Sequence, residues 1–480
     1  MIDVLSIASE VYPLVKTGGL ADVAGALPGA LRHHEVSMRT LVPGYPQVMA
    51  SFRRGREIAH FHDLFGGPAR LLAARTSGLD LIVIDAPHLY DRGGGIYVDD
   101  FGQDWLDNWA RFAALSSVGA ELARGLVEGY RPSIIHAHDW QAALAAAYVR
   151  FSGDTETRVV VTIHNLAFQG RFGSDIFAHL RLPAEAFTVD GVEYYGGVGF
   201  LKAGLRLADA ITTVSPTYAR EIRSPGAGMG LEGLLVERGA DLHGILNGID
   251  VEAWNPQSDP ALAAGFAAAN VKKRALNTRA LADRFGLDDG PGPLFGLVSR
   301  LTWQKGIDLV AENIDWLVSL GGRLAVLGSG EPHLEAAIAQ ASVRHPGRVG
   351  FISGYDEVLS HLVQGGADVM LVPSRFEPCG LTQLYGLRYG AVPLVSRVGG
   401  LADTVIDANA AALDAGVATG LQFAPVESVA LGEALQRATV LFAQPEVWAR
   451  MQRRGMKTDV SWQKSAGQYA ALYTDLIGEQ

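Results

Sequence analysis

The sequence predicts an α/β protein of two domains, each a parallel sheet covered by helices. Three observations carry that expectation. A chain of 480 residues exceeds one ordinary core, and 48% of it is hydrophobic, enough to fill two or three. Short apolar runs alternate with helix-length amphipathic segments almost throughout, the rhythm of parallel strands joined by covering helices. One glycine turn also occurs twice: Gly18-Gly19-Leu20-Ala21-Asp22 returns as Gly399-Gly400-Leu401-Ala402-Asp403. Each copy follows a predicted strand and opens a predicted helix.

In order along the first half, the strands are "DVLSIAS", "SMRTLVP", "LDLIVIDA", "SIIHAH", "RVVVTIH" and "AITTVS". Segments such as "DNWARFAALSSVGAELARGL" repeat apolar residues at three and four and form helices. In the second half the strands are "PLFGLVSR", "RLAVLGSG", "RVGFIS", "DVMLVPS" and "AVPLVS". Between the halves, "ILNGIDVEAWNPQSDPALAAG" is rich in Asn, Asp, Gly and Pro, the composition of a linker. The first domain is therefore residues 1–244 and the second 245–460. Residues 461–480 form a C-terminal helix expected to pack back toward the first domain. Within it Trp462, Tyr469 and Tyr473 fall at helical spacing and read as core.

Composition excludes several classes. A net charge of −11 argues against a protein of phosphate backbones, so no nucleic-acid partner is expected. The basic stretches Arg53-Arg54 and Lys272-Lys273-Arg274 are short and read as solvated helix faces. A single cysteine, Cys379, excludes an intrachain disulfide and a cysteine metal cage. "MIDVLSIASEVYP" lacks a basic start and carries Asp3 and Glu10, so it reads as a first strand and not as a signal peptide. No run is long and apolar enough to cross a bilayer. A reducing, cytoplasmic compartment without membrane partners is the expectation.

The candidate chemistry clusters where strands end, because parallel sheets bind ligands there against helix N-termini. Two such domains facing each other across a cleft put both copies of the glycine turn on its walls. "SRLTWQKGIDLV" sets Arg300 after a strand and Lys305 at a helix start, a diphosphate clamp or a surface pair. "PSRFEPCGLTQLYGLRYG" sets Glu377 before a turn that opens a helix. There its carboxylate either caps that helix or receives sugar hydroxyls. In "IIHAHDWQ", His136 and His138 share a strand face. With His164 they also suit a metal, but no carboxylate or cysteine sits at a familiar ligand spacing. Asp139 and His164 read as polar groups at the cleft mouth. In "DAPHLYDRGGGIYVDD", Gly93–Gly95 make either a mobile loop or a plain surface loop, with aromatic Tyr97 beside it.

Taken together, "KTGGLADV", "DAPHLYDR", "HAHDWQ", "TIHNLAFQG", "NGIDVEAWNP", "SRLTWQKGIDL" and "PSRFEPCGLTQLYGLRYG" resemble bacterial glycogen synthase and plant starch synthase. The resemblance covers essentially the whole chain. It implies two Rossmann-like domains facing each other across a deep cleft, the GT-B arrangement. It also implies retaining transfer of glucose from ADP-glucose to the non-reducing end of an α-1,4-glucan, without cofactor or metal. By the same resemblance, Lys16 and the Gly18-Gly19 backbone meet the donor diphosphate from one domain, and Arg300 and Lys305 from the other. Glu377 holds glucose hydroxyls beside the N–H groups of Cys379, Gly380 and Leu381. Thr382 sits at the phosphates and Tyr355 against the adenine. Asp139, His164 and Asn165 line the transferred glucose and the acceptor side, with Tyr97 on the glycine loop. Many members of the wider group carry a second glutamate eight positions after the first; Tyr385 stands there, which favours ADP-glucose over UDP-glucose. Cys379, at a helix start beside cations, is expected to carry a reactive thiol.

Overall fold

The computed structural model describes residues 1–52 and 55–478; Arg53-Arg54 lie outside the described residues. The chain divides into two compact units, Met1–Asn247 with Trp462–Gln480, and Gly248–Ser461. It leaves the first unit late because Ile245 still donates its N–H to Thr213, at the end of a strand of that unit.

The first unit is built on a nine-stranded sheet. From one edge its strands are Leu242–Gly244, Ala210–Thr213, Arg158–Ile163, Ile134–His138, Ile2–Ile7, Val36–Pro43, Leu79–Asp85, Ala69–Thr76 and Arg56–Phe61. The first seven pair in parallel and the last two add antiparallel. Both faces of the centre are covered. Leu5, Ile135 and Val161 point into one apolar cluster, while their neighbours Val4, Ile134 and Val160 point into another. That double burial is why these strands read as unbroken apolar runs. The second cluster includes Trp462, Tyr469 and Tyr473 of the C-terminal helix Trp462–Gly478, together with Val23, Leu27 and Leu31 of the helix Gly19–Leu31.

The second unit holds six strands, all parallel. Their order is Val349–Ser353, Arg323–Gly328, Leu294–Val298, Val369–Val372, Val392–Ser396 and Leu421–Phe423. Here too the sheet is buried on both faces, Val369 and Leu371 on one side and Met370 on the other. In each unit the strand order reverses beside the first strand, Ile2–Ile7 in one and Leu294–Val298 in the other. Chain connections part at such a point and leave a crevice at the strand ends.

One expectation is corrected by packing. Lys272 and Lys273 are exposed, but Arg274 is buried, donating to the carbonyls of Tyr389 at 2.8 Å, Ala367 at 2.6 Å and Gln364 at 3.2 Å. It braces its unit from within; burial lowers its pKa to about 10. Among the described residues, no helix is long and apolar enough to cross a membrane.

Candidate active site

Each unit gathers its chemistry where its strand order reverses. In the second unit, the strands Leu294–Val298 and Val369–Val372 end side by side above a small pocket. Lys305, Glu377, Gly380, Leu381 and Thr382 line it, with Ser299 and Ser374. Lys305 precedes the helix Ile307–Ser319, and the turn between is tight. Gly306 has φ +68°, and a Cβ there would lie 2.1 Å from the Pro373 carbonyl oxygen, so only glycine lets the two loops pack. Arg375 seals the same junction with a bidentate pair to Asp308 at 2.6 and 2.7 Å, and its guanidinium lies over the Trp303 ring.

Glu377 is buried, and one oxygen accepts from Lys305 Nζ at 2.5 Å and Ser374 Oγ at 2.8 Å. Cation and carboxylate, assigned separately from sequence, thus form one partly buried ion pair. Behind Glu377, Gly380 takes φ +73° ahead of the helix Thr382–Tyr389. Gln383 Nε2 ties that turn by donating to the carbonyls of Cys379 and Gly380 at 3.0 and 2.9 Å. Cys379 itself is 4% exposed and absent from the pocket lining. The expectation of a reactive thiol is corrected: a buried sulfur does not meet a reagent. Arg300 and Tyr355 also lie outside the pocket lining and are exposed at the ends of their strands.

In the first unit, Ile2–Ile7 and Ile134–His138 end together. Asp139 follows at φ +54°, a left-handed conformation uncommon outside glycine. Its buried carboxylate accepts the N–H groups of His164 at 2.6 Å and Asn165 at 3.4 Å. Burial outweighs those donors and pushes the Asp139 carboxyl up to about 7. His164 Nε2 meets His138 Nδ1 at 3.0 Å, and His138 Nε2 meets Ser6 Oγ at 3.2 Å. His136 lies deeper, held by Tyr473 and Thr162. Burial drives all three imidazoles far down in pKa, so they are neutral. Their nitrogens serve a hydrogen-bonded interior.

The glycine turn of this unit is organised by a residue that sequence reasoning left without a role. Glu10, 3% exposed, accepts from Thr17 N–H and Oγ1 and from Gly18 N–H. The Tyr97 hydroxyl joins at 2.6 Å, with Ser9 Oγ 2.7 Å from it. The loop around Tyr97 is fixed, since its carbonyl accepts from Asn108 and that of Ile96 from buried Arg111. Lys16 is exposed and pairs with Asp22 at 2.7 Å. An acid at the end of an apolar strand, directly before a glycine turn, was the available signal for Glu10. Ser374 and Arg375 were likewise visible inside the Glu377 motif.

Comparisons with known proteins give the family. The starch synthase catalytic domain family matches residues 3–237, and glycosyl transferases group 1 matches residues 292–439. Glycogen synthase 1 of Rhizobium meliloti is 57% identical, with 100% of both chains covered. Glycogen synthase of Novosphingobium aromaticivorans is 58% identical over 100% of this chain and 99% of its own. Among solved structures, the catalytic domain of starch synthase IV from Arabidopsis thaliana, bound to ADP and acarbose, superposes with a TM-score of 0.87. It is 31% identical, covering 99% of each chain. The chain belongs to the starch and glycogen synthase family of GT-B glucosyltransferases.

Proposed function

We propose that the chain elongates an α-1,4-glucan, moving glucose from ADP-glucose to the non-reducing end with retention of configuration. The observation that carries this reading is the Lys305–Glu377 pair over the pocket at the second unit's strand ends. It offers a cation for a leaving phosphate and a carboxylate for sugar hydroxyls within one small volume.

In the reaction the bond from glucose C1 to the ADP oxygen breaks, and the acceptor's O4 forms the new bond to C1. The acceptor proton passes to the departing β-phosphate oxygen. Stabilising that diphosphate is the main task, and Lys305, Arg300 and Lys16 supply positive charge for it without a metal or cofactor. Gly19 and Thr382 contribute polar groups at the phosphates, Leu381 offers its N–H beside Glu377, and Tyr355 offers its exposed ring to the adenine. Asp139, His164 and Asn165 serve the glucose and acceptor side.

Retention needs a carboxylate nucleophile or attack from the leaving-group face. Glu10, Asp139 and Glu377 are each already engaged by two or more donors. That engagement supports front-face attack. A cytoplasmic location accords with ADP-glucose as donor.

The test is nucleotide release with glycogen and either ADP-glucose or UDP-glucose, with and without EDTA. ADP-glucose is expected to give a kcat/KM on the order of 10-fold or more above UDP-glucose, about 1.4 kcal/mol in transition-state binding. The product should be α-linked and the rate insensitive to EDTA. A β-linked product, or no transfer from either donor, overturns the reading.

A further inference from the structure

Glu10 is a buried carboxylate whose four donors, Thr17 N–H and Oγ1, Gly18 N–H and the Tyr97 hydroxyl, are all neutral. A buried charge without a counter-ion is costly unless hydrogen bonds saturate it. Here they do, at 2.5, 2.6, 3.2 and 2.6 Å.

The geometry has a consequence for the glycine turn. The N–H groups of Thr17 and Gly18 already donate to an internal anion. Gly18 therefore does not offer its N–H to a bound diphosphate in this arrangement. What the turn presents outward is the Lys16 ammonium and the start of the thirteen-residue helix Gly19–Leu31. Lys16 is a long, exposed side chain whose ammonium pairs with Asp22 at 2.7 Å and lies over the Tyr12 ring, and its usefulness depends on where the backbone beneath it is held.

We propose that Glu10 is a positioning residue. It locks the Lys16–Gly19 turn against Tyr97, so that Lys16 meets the donor diphosphate from a preset backbone. The proposal rests on the reading that Lys16 serves the diphosphate. Glu10 touches neither donor nor acceptor; it acts through the turn.

The experiment is a double-mutant cycle on the full-length enzyme, reading kcat and KM for ADP-glucose and for glycogen, with thermal denaturation alongside. Glu10→Gln keeps the shape but turns an amide N–H₂ toward donors that need an acceptor. It should lower kcat/KM for ADP-glucose on the order of 10- to 100-fold, the effect of a misplaced group. The KM for glycogen should stay unchanged. In a Lys16→Ala background, the same substitution should cost under about 3-fold, because coupled residues are not additive. Thr17→Val removes only the hydroxyl donor at an exposed position, so the fold tolerates it. It should give the same signature at smaller size, and it decides the question if Glu10→Gln does not fold.

If Lys16→Ala lowers kcat/KM and Glu10→Gln does not, the positioning role is wrong. Full additivity of the two substitutions also overturns it. If Lys16→Ala itself has no effect, the reading of Lys16 fails and the proposal falls with it.

Discussion

Asp139 and the histidines His136, His138 and His164 set opposite pH dependences, and their number decides which prevails. Each histidine is held neutral in the folded state, whereas unfolded it takes up a proton below about pH 6.5. Each therefore contributes stability above that pH that is lost on acidification. Asp139 runs the other way. Its folded carboxyl stays protonated up to about pH 7, whereas the unfolded one ionises near 3.8. It favours the folded state as pH falls from about 7. Between about pH 4.5 and 6, three histidines against one aspartate leave two protons taken up on unfolding. At about 1.4 kcal/mol per proton and pH unit, the cluster costs roughly 3 kcal/mol of stability per unit of acidification. Asp139→Asn removes the opposing group, so stability should fall more steeply with acid, by about one further proton. Urea unfolding of wild type and variant between pH 5 and 7.5 checks this; an equal or shallower slope in the variant refutes it. The motif around Asp139 was legible in the sequence. Its protonation was not, because burial on all sides depends on strands far apart in the chain.

At the scale of elements, the C-terminal helix shows how one segment is tied to a site distant in sequence. Its Tyr473 hydroxyl lies 2.7 Å from Nδ1 of His136, in the strand that ends at His138 just before Asp139. Tyr473→Phe leaves that buried nitrogen without its partner and should cost about 1–3 kcal/mol in urea unfolding at pH 7.5. A loss below about 0.5 kcal/mol, the usual surface effect, would show that the bond does not anchor the helix. The helix itself was readable because Trp462, Tyr469 and Tyr473 repeat at helical spacing. Elements without a buried face were not readable. Arg56–Phe61 is exposed or half-buried throughout and forms the antiparallel edge with Ala69–Thr76, so no apolar run marks it. Leu421–Phe423 has three residues, too few for any periodicity to register. What the sequence displays is double burial; what it hides is the edge.

At the scale of the whole molecule, the doubled glycine turn opens a helix in each unit, after the first strand in one and after Val392–Ser396 in the other, and does two different jobs. Both copies open a helix after a strand, as their shared residues suggested. Their surroundings differ. A Cβ on Gly18 or Gly19 would meet nothing within 4 Å, and Gly19 is exposed. A Cβ on Gly400 would lie 2.2 Å from the Cys379 carbonyl oxygen and 2.5 Å from its Cα, and one on Gly399 2.0 Å from the Glu377 carbonyl oxygen. Gly400 N–H also donates to the Glu377 carbonyl at 3.1 Å. The second copy therefore does not present an open wall to a ligand, as sequence alone suggested. It is the buttress against which the Glu377 turn is folded. Gly19→Ala should leave the melting temperature within about 1 °C, since alanine suits a helix start with open space. It should raise the KM for ADP-glucose by crowding the approach of phosphate. Gly400→Ala must push backbone against backbone, costing about 2 kcal/mol or more and displacing Glu377 with its Lys305 partner. That corresponds to a melting temperature lower by about 5 °C for a unit of this size, with turnover lost as well. Thermal denaturation and steady-state kinetics on both variants separate the two jobs. Equal losses of stability at Gly19 and Gly400 would show that the repeat has one structural role in both units.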